Sequence, residues 1–343
     1  MTHYRYFGRT GVRVTALTLG TMNFGPWGEP DHDRSLEVIH RALDAGINII
    51  DTADLYSAGE SEVIVGKALA GRARDDLILA TKFHGRLGPD INQQGNSRHW
   101  VVRAVEDSLR RLGVDHIDLY QVHKPDPHTD LDDTLSALTS LVDAGKIRYF
   151  GTSCFQPSTL VQAQWVAQDR GRLRPVSEQP PYSILSRKVE AEVLPIAQQY
   201  GLGVLTWSPL AGGWLSGRTP DGSPLEATDR HRRLPSRYDT ELAPNVVKRQ
   251  RVEKLSKLAS DIGISLPQLA IAFVLAHPAV STVIVGPRTV EHLDSVLGAD
   301  EVVLTDDVLD AIDEIVPPGT TLNVADEGYV PPAIADKRLR RRS

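Results

Sequence analysis

Short apolar, β-branched runs recur along this chain, and the stretch between each pair is long enough for a helix. They are a run ending at Leu19 and Gly20, INIID at 47–51, LILAT at 77–81, IDLYQV at 117–122, IRYFGT at 147–152, PVSEQ at 175–179, GVLTW at 203–207 and TVIVG at 282–286. Several segments between them have helical spacing: DRSLEVIHRALDAG at 33–46 runs from an acidic start to a glycine stop, and SRHWVVRAVEDSLRRLG at 97–113 opens on Ser97 as a candidate cap. Buried parallel strands separated by crossover helices need both sheet faces covered, and eight such units close into a barrel. The predicted fold is therefore α/β, a (β/α)8 TIM barrel. Before it, YRYF and VRVTAL flank the turn GRTG and predict a β-hairpin over 4–16; near the end, LTDDVLDAIDEIV at 304–316 predicts one of the extra C-terminal helices.

Two stretches interrupt the rhythm. Residues 210–245 are rich in glycine, proline and charge, the composition of a long loop that is either disordered or a functional lid. After 316 the chain carries PPGTT and YVPP and ends in KRLRRRS. The domain reading is a single barrel over 1–316 and a proline-containing tail over 317–343, whose basic end is read as a solvated, mobile terminus.

Composition narrows the function classes. Of the 343 residues, 41% are hydrophobic and 24% charged, the balance of an ordinary globular protein. A net charge of -6 argues against a nucleic-acid partner. Cys154 is the sole cysteine, which rules out an internal disulfide and suits a reducing compartment, so a cytoplasmic location is expected. The N-terminus has no apolar signal-peptide core, and the longest apolar run, LAIAFVLA at 269–276, is too short to span a bilayer; no membrane association is expected. Oligomeric state is not legible.

Polar or reactive side chains stand at or just beyond the C-terminal ends of six of these strands: Asp51, Lys82, His123, Ser153, Gln179 and Trp207. Singly, each has an ordinary explanation, such as a turn-capping aspartate or a lysine reaching solvent. Jointly they mark one pocket, because the loops at that end of a barrel converge on a single mouth.

At this point the chain resembles the aldo-keto reductase family, through GRTGVRVTALTLGTMNFG at 8–25, DAGINIIDTADLYSAGESEVIVGKAL at 44–69, ATKF at 80–83, LYQVHKPD at 119–126, GKIRYFGTS at 145–153, WSPLAGGWLSG at 207–217 and VIVGPRTVEHLDSVLGA at 283–299. The resemblance implies a hydride transfer between NADP(H) and an aldehyde or ketone, or the corresponding alcohol. The family's catalytic positions map onto Asp51, Tyr56, Lys82 and His123. Tyr56 would be the general acid for reduction and the base for oxidation. An isolated phenol, with a pKa of about 10, gives up its proton reluctantly near neutrality. An ammonium about 4 Å away favours the phenolate by a few kcal/mol at an effective dielectric of about 20, which is the role implied for Lys82. Asp51 would hold Lys82 charged, and His123 would orient the substrate carbonyl.

For the cofactor, the resemblance implies Ser153 and Gln179 at the nicotinamide carboxamide, Trp207 stacked on the ring, and Gly20, Thr21 and Met22 along the nicotinamide side. Ser208, Pro209, Leu210, Gly212 and Gly213 would cover the pyrophosphate, where glycine lets backbone N–H groups approach the phosphates. Gly286, Arg288 and His292 would lie at the adenosine end, and Arg288 suits a 2′-phosphate. No GxGxxG follows an early strand, so the Rossmann fingerprint is absent.

The pattern also departs from the family. Cys154 stands where many relatives have asparagine, and His292 and Val296 stand where glutamine and asparagine are common. Trp27, Phe83 and Trp214 are candidate walls of the substrate pocket. Two other functions compete with the enzyme. One is a nicotinamide-binding regulatory subunit, since the family includes channel-associated β subunits. The other is a metal-dependent barrel hydrolase using His123, Asp126 and His128, although their proline-bearing loop lacks zinc-site spacing and no metal site is expected.

Overall fold

The computed structural model describes residues 4–218 and 234–340. Eight parallel strands close into a barrel: β3 (Leu17–Gly20), β4 (Ile49–Asp51), β5 (Ile78–Phe83), β6 (Ile117–Val122), β7 (Ile147–Ser153), β8 (Ser177–Gln179), β9 (Gly203–Thr206) and β10 (Thr282–Val285). β10 returns to pair with β3, Val283 opposite Leu17. All eight runs expected from the sequence lie on these strands. The sheath includes α1 (His32–Asp44), α2 (Glu60–Leu69), α3 (Arg98–Leu112), α4 (Leu131–Asp143), α5 (Pro157–Asp169) and α6 (Val193–Tyr200), followed by the helices Ala243–Asp261 and Leu266–Ala276.

Local chemistry sets several helix ends. Ser97 caps α3 by accepting from the Trp100 N–H, and Gly113 ends that helix at φ 67. The Asp31 carboxylate accepts from Asp33 and Arg34 at the start of α1. Ser265 and Gln268 form a reciprocal capping box for Leu266–Ala276. The apolar run at 269–276 lies in this helix, where Leu269 through Leu275 are all buried.

The barrel has a floor. β1 (Tyr4–Tyr6) and β2 (Arg13–Thr15) pair antiparallel as a hairpin. Phe7 and Val14 pack with the inward side chains Ile49, Ala80, Leu119, Leu205 and Ile284 into a cluster distinct from the larger one between strands and helices. Gly8, at φ +55, lets the hairpin touch the barrel, since a Cβ there would overlap the backbone of Gly201 and Gly203.

Past residue 316 the chain follows the barrel. Arg187 N–H donates to Thr320 O at 2.7 Å, and Leu322 N–H donates to Leu185 O at 3.1 Å. A 3-10 turn, Val324–Glu327, comes next, and the turns Pro332–Ala335 and Lys337–Leu339 contain no buried residue. Of the loop expected at 210–245, residues 219–233 lie outside the described residues, as do the last three residues of the basic end.

Candidate active site at the carboxyl ends of the strands

Two residues beyond the floor, on the same inward face, the side chains change from apolar to polar: Ile49 is followed by Asp51, Ala80 by Lys82 and Leu119 by Gln121. Lys82, fully buried, donates from Nζ to Asp51 Oδ2 at 2.6 Å, to Thr52 O at 2.8 Å and to Tyr56 Oη at 3.2 Å. An ammonium has three hydrogens and accepts nothing, so all three are used and Tyr56 Oη is the acceptor. The phenolic proton is thereby directed away from the amine. Burial pulls the Lys82 pKa down, but the charges of Asp51 and Tyr56 and its bonds to both outweigh this, and the net shift is upward. Lys82 is a cation across the physiological range.

Asp51 is saturated as well. Its Oδ1 accepts from Gln121 Nε2 at 3.1 Å and from Gln179 Nε2 at 2.8 Å. Gln179 Nε2 also donates to Gln121 Oε1 at 3.1 Å, so both its hydrogens are taken, and any carboxamide contact by Gln179 goes through Oε1. Ser153 Oγ donates to Gln179 O at 2.8 Å. The sequence reading passed over Gln121. Its signal was its position, two residues before His123 and in phase with Leu119.

Tyr56 is delivered by a strained turn. Ser57 and Ala58 hold φ 49 and 56 within Tyr56–Gly59, a region that L-residues rarely occupy. Ser57 Oγ donates to Phe24 O at 3.0 Å and accepts from Trp27 N–H at 3.2 Å, which pins the turn. The other non-glycine residues with positive φ are His84, Cys154, Ser208 and Ala211, and each follows the end of a barrel strand. Strain among the described residues is thus confined to the mouth.

Around the phenol, the Trp27 ring lies 6.2 Å away and the His123 ring 5.8 Å away in an edge-on arrangement. Burial, followed by the charges of Lys82, Lys124 and His84, pushes the His123 pKa well below its usual value. His123 is therefore a neutral imidazole. Of the expected pocket walls, only Trp27 stands beside the phenol in this way. Phe83 is fully buried against Tyr120 at 4.8 Å, and Trp214 is buried with Nε1 donating to Arg237 O at 3.2 Å.

The remaining expected residues follow the mouth round. Gly20 has a packing reason of its own, since a Cβ there would lie 2.5 Å from Ile284 Cγ2. Thr21 Oγ1 is bonded within the framework to Ser61 Oγ at 2.8 Å, whereas Met22 is half-buried. Trp207 is half-buried at the end of β9. In the next loop Ser208 has φ 62 and a buried hydroxyl with no partner, Pro209 is buried and Leu210 half-buried. Gly212 and Gly213 also have positive φ, and the space at Gly213 is open. At the far end, Asn23 Nδ2 holds Gly286 O at 2.7 Å, and Arg218 Nη2 lies 2.8 Å from His292 Nε2. Burial, then the neighbouring cations, lowers the pKa of both Arg218 and His292, and Arg288 is one of those cations for each.

An open loop with an orphaned hydroxyl, leading to two arginines and a histidine, fits a phosphate-bearing dinucleotide. Arg218 was missed because nothing in the sequence alone ties it to His292, 74 positions away. Val296 is buried in the larger hydrophobic cluster. Cys154 is buried at φ 58, a conformation that asparagine tolerates better. Asp126 is fully engaged in a turn, accepting from Asn96 N–H, Thr129 Oγ1 and His128 N–H. Among the described residues no group of three or more His, Cys, Asp or Glu is placed to hold a metal ion.

Comparison with known proteins gives the same grouping. Residues 16–317 match the model of the aldo/keto reductase family. The chain is 39% identical to an uncharacterized oxidoreductase of Bacillus subtilis (strain 168), over 92% of this chain and 96% of the relative. It is also 36% identical to a probable voltage-gated potassium channel subunit beta of Oryza sativa subsp. japonica, over 91% and 96%. A putative subunit of the same description from Schizosaccharomyces pombe is 35% identical over 91% and 93%. A match over nearly the whole barrel, joined to a buried lysine bonded to both an aspartate and a tyrosine at its mouth, places this chain in the aldo/keto reductase family.

Proposed function

We propose that this chain is an NADP(H)-dependent oxidoreductase that interconverts a small aldehyde or ketone and its alcohol, with Tyr56 as general acid and base. The observation that carries the reading is the contact of Lys82 Nζ with Tyr56 Oη at 3.2 Å, made by an amine that Asp51 keeps charged. Bound reduced nicotinamide supplies the hydride that ends on the carbonyl carbon. Tyr56 gives its proton to the carbonyl oxygen, and the Lys82 ammonium stabilises the phenolate left behind. Neutral His123 donates a hydrogen bond to the same oxygen and holds the carbonyl against the phenol. Solvent reprotonates Tyr56, so each cycle consumes one hydride and one proton. Oxidation of an alcohol is the reverse, with Tyr56 phenolate as the base.

Trp207 would face the nicotinamide, Ser153 and Gln179 its carboxamide, Ser208 and Gly213 the pyrophosphate, and Arg218, Arg288 and His292 the 2′-phosphate. The preference for NADP(H) over NAD(H) rests on that basic cluster. The single cysteine suits a cytoplasmic enzyme.

The test is purified protein with NADPH and a panel of aldehydes and ketones, followed at the reduced-nicotinamide absorbance, with NADH in parallel. Consumption of NADPH is expected, and Arg288→Ala should narrow the NADPH preference by about ten-fold. Equal use of NADH and NADPH by the native protein would remove the phosphate assignment.

The relatives named as potassium channel β subunits favour a second reading, a nicotinamide-binding regulatory subunit. Tight cofactor binding without reduction of any carbonyl would select it.

A further inference from the structure

The family match ends at residue 317, yet the chain beyond it is fastened to the mouth of the barrel. Asn323 Nδ2 donates to Ser236 O and to Asn245 Oδ1, both at 2.8 Å. Asp326, 4% exposed, accepts from Arg237 Nε at 2.8 Å and pairs with Lys248, which is completely buried. Lys188 Nζ holds Glu327 Oε2 at 2.8 Å. One carboxylate thus serves two buried cations, Arg237 from the far part of the 210–245 stretch and Lys248 from the helix Ala243–Asp261, an arrangement whose disruption is costly.

This anchoring delivers Gly328 to one point. A Cβ at 328 would overlap Trp207 Cζ2, lie 2.8 Å from Cη2, and come within 3.3 Å of Cys154 Sγ. Lys124 Nζ donates to Gly328 O at 2.5 Å and sits 3.3 Å from the same sulfur. Lys124, Cys154 and Trp207 follow β6, β7 and β9, so three rim loops converge on this glycine, whose φ of +74 excludes most other residues. The indole therefore has a backbone wall against its six-membered ring.

We infer that residues 323–328 form a strap that completes the wall of the nicotinamide pocket, and that Gly328 is a positioning residue that fixes the Trp207 ring. This rests on the reading of Trp207 as the nicotinamide platform. The strap does no chemistry. It sets the plane on which the ring would stack, so its loss should weaken cofactor binding before it slows hydride transfer.

Gly319 supplies the control. It lies in the same tail at φ +72, but a Cβ there meets nothing within 4 Å. Gly319→Ala and Gly328→Ala therefore carry the same backbone penalty, and only the second drives a methyl into Trp207. Titration of the full chain with NADPH, read by quenching of tryptophan emission, should give Gly328→Ala a dissociation constant raised about ten-fold over the native protein, with Gly319→Ala unchanged. Steady-state kinetics should show the KM for NADPH rising more than kcat falls. Equal constants for the two variants would overturn the strap while leaving the functional reading intact. A native protein that binds no dinucleotide sinks that reading instead. The strap is then judged by emission without ligand: an emission difference from the native protein in Gly328→Ala, abolished by Trp207→Phe and absent in Gly319→Ala, supports it, and its absence overturns it. If Gly328→Ala does not fold, Lys124→Met removes the bond to Gly328 O from the rim side. It should weaken NADPH binding in the same direction, and unchanged binding would count against the strap.

Discussion

The floor and the mouth of this barrel are built from the same strands and obey opposite rules. At the floor, Phe7, Val14, Ile49, Ala80, Leu119, Leu205 and Ile284 form an apolar plug. Two residues further along the strands, Asp51, Lys82 and Gln121 replace Ile49, Ala80 and Leu119. There the buried groups are polar, the hydrogen bonds of Lys82 and Asp51 are fully used, and every non-glycine residue with positive φ among those described is found. A period of two puts both layers on one face, and position along the strand decides which layer stabilises and which reacts.

Lys82→Met should separate the layers most forcefully. It leaves Asp51 buried without its cation, at a cost of about 4 kcal/mol, and removes the charge that favours the phenolate, lowering turnover by roughly 10²–10⁴. Denaturant unfolding and steady-state kinetics should both change. Phe7→Ala tests the opposite layer. Opening a cavity in the plug should cost roughly 3–4 kcal/mol, with kcat/KM within about two-fold of native. A Phe7 variant that lost activity while keeping its stability would erase the distinction between floor and mouth.

A subtler effect concerns Glu178, fully buried on β8. Burial pushes its pKa from 4.5 up to about 7, against the opposing effects of Thr152 Oγ1, the Phe155 and Cys154 N–H groups and the charge of Lys124. Between those values the folded chain holds a proton that the unfolded chain has released. Stability is therefore full below the lower value and falls as pH rises through the upper one, by about 3 kcal/mol in all. Glu178→Gln should flatten that part of the stability–pH profile, and an unaltered slope would show that Glu178 is not the group responsible.

The barrel was legible because its strands are β-branched runs separated by helix-length segments, and six rim residues were legible because polar side chains at strand ends break an apolar pattern. Three parts were not. Gln121 lies inside a strand, where its inward direction depends on register. The turn at Ser57 and Ala58 takes left-handed backbone without glycine, so no residue type announced it. The strap depends on contacts such as Arg237 with Asp326, 89 positions apart, and local spacing does not encode a contact of that range. Whether an aromatic near the rim faces the mouth or the sheath is likewise not encoded locally; of the candidate walls, Phe83 and Trp214 are both buried and belong to the larger cluster between strands and helices.

The central claim is that the Tyr56 hydroxyl, held by Lys82, supplies the proton. Tyr56→Phe keeps the ring and its packing and removes only that oxygen, so NADPH titration and turnover should be measured on the same preparation. Native-like NADPH affinity with turnover reduced by about 10² or more is the expected result. Turnover equal to that of the native protein would contradict the account.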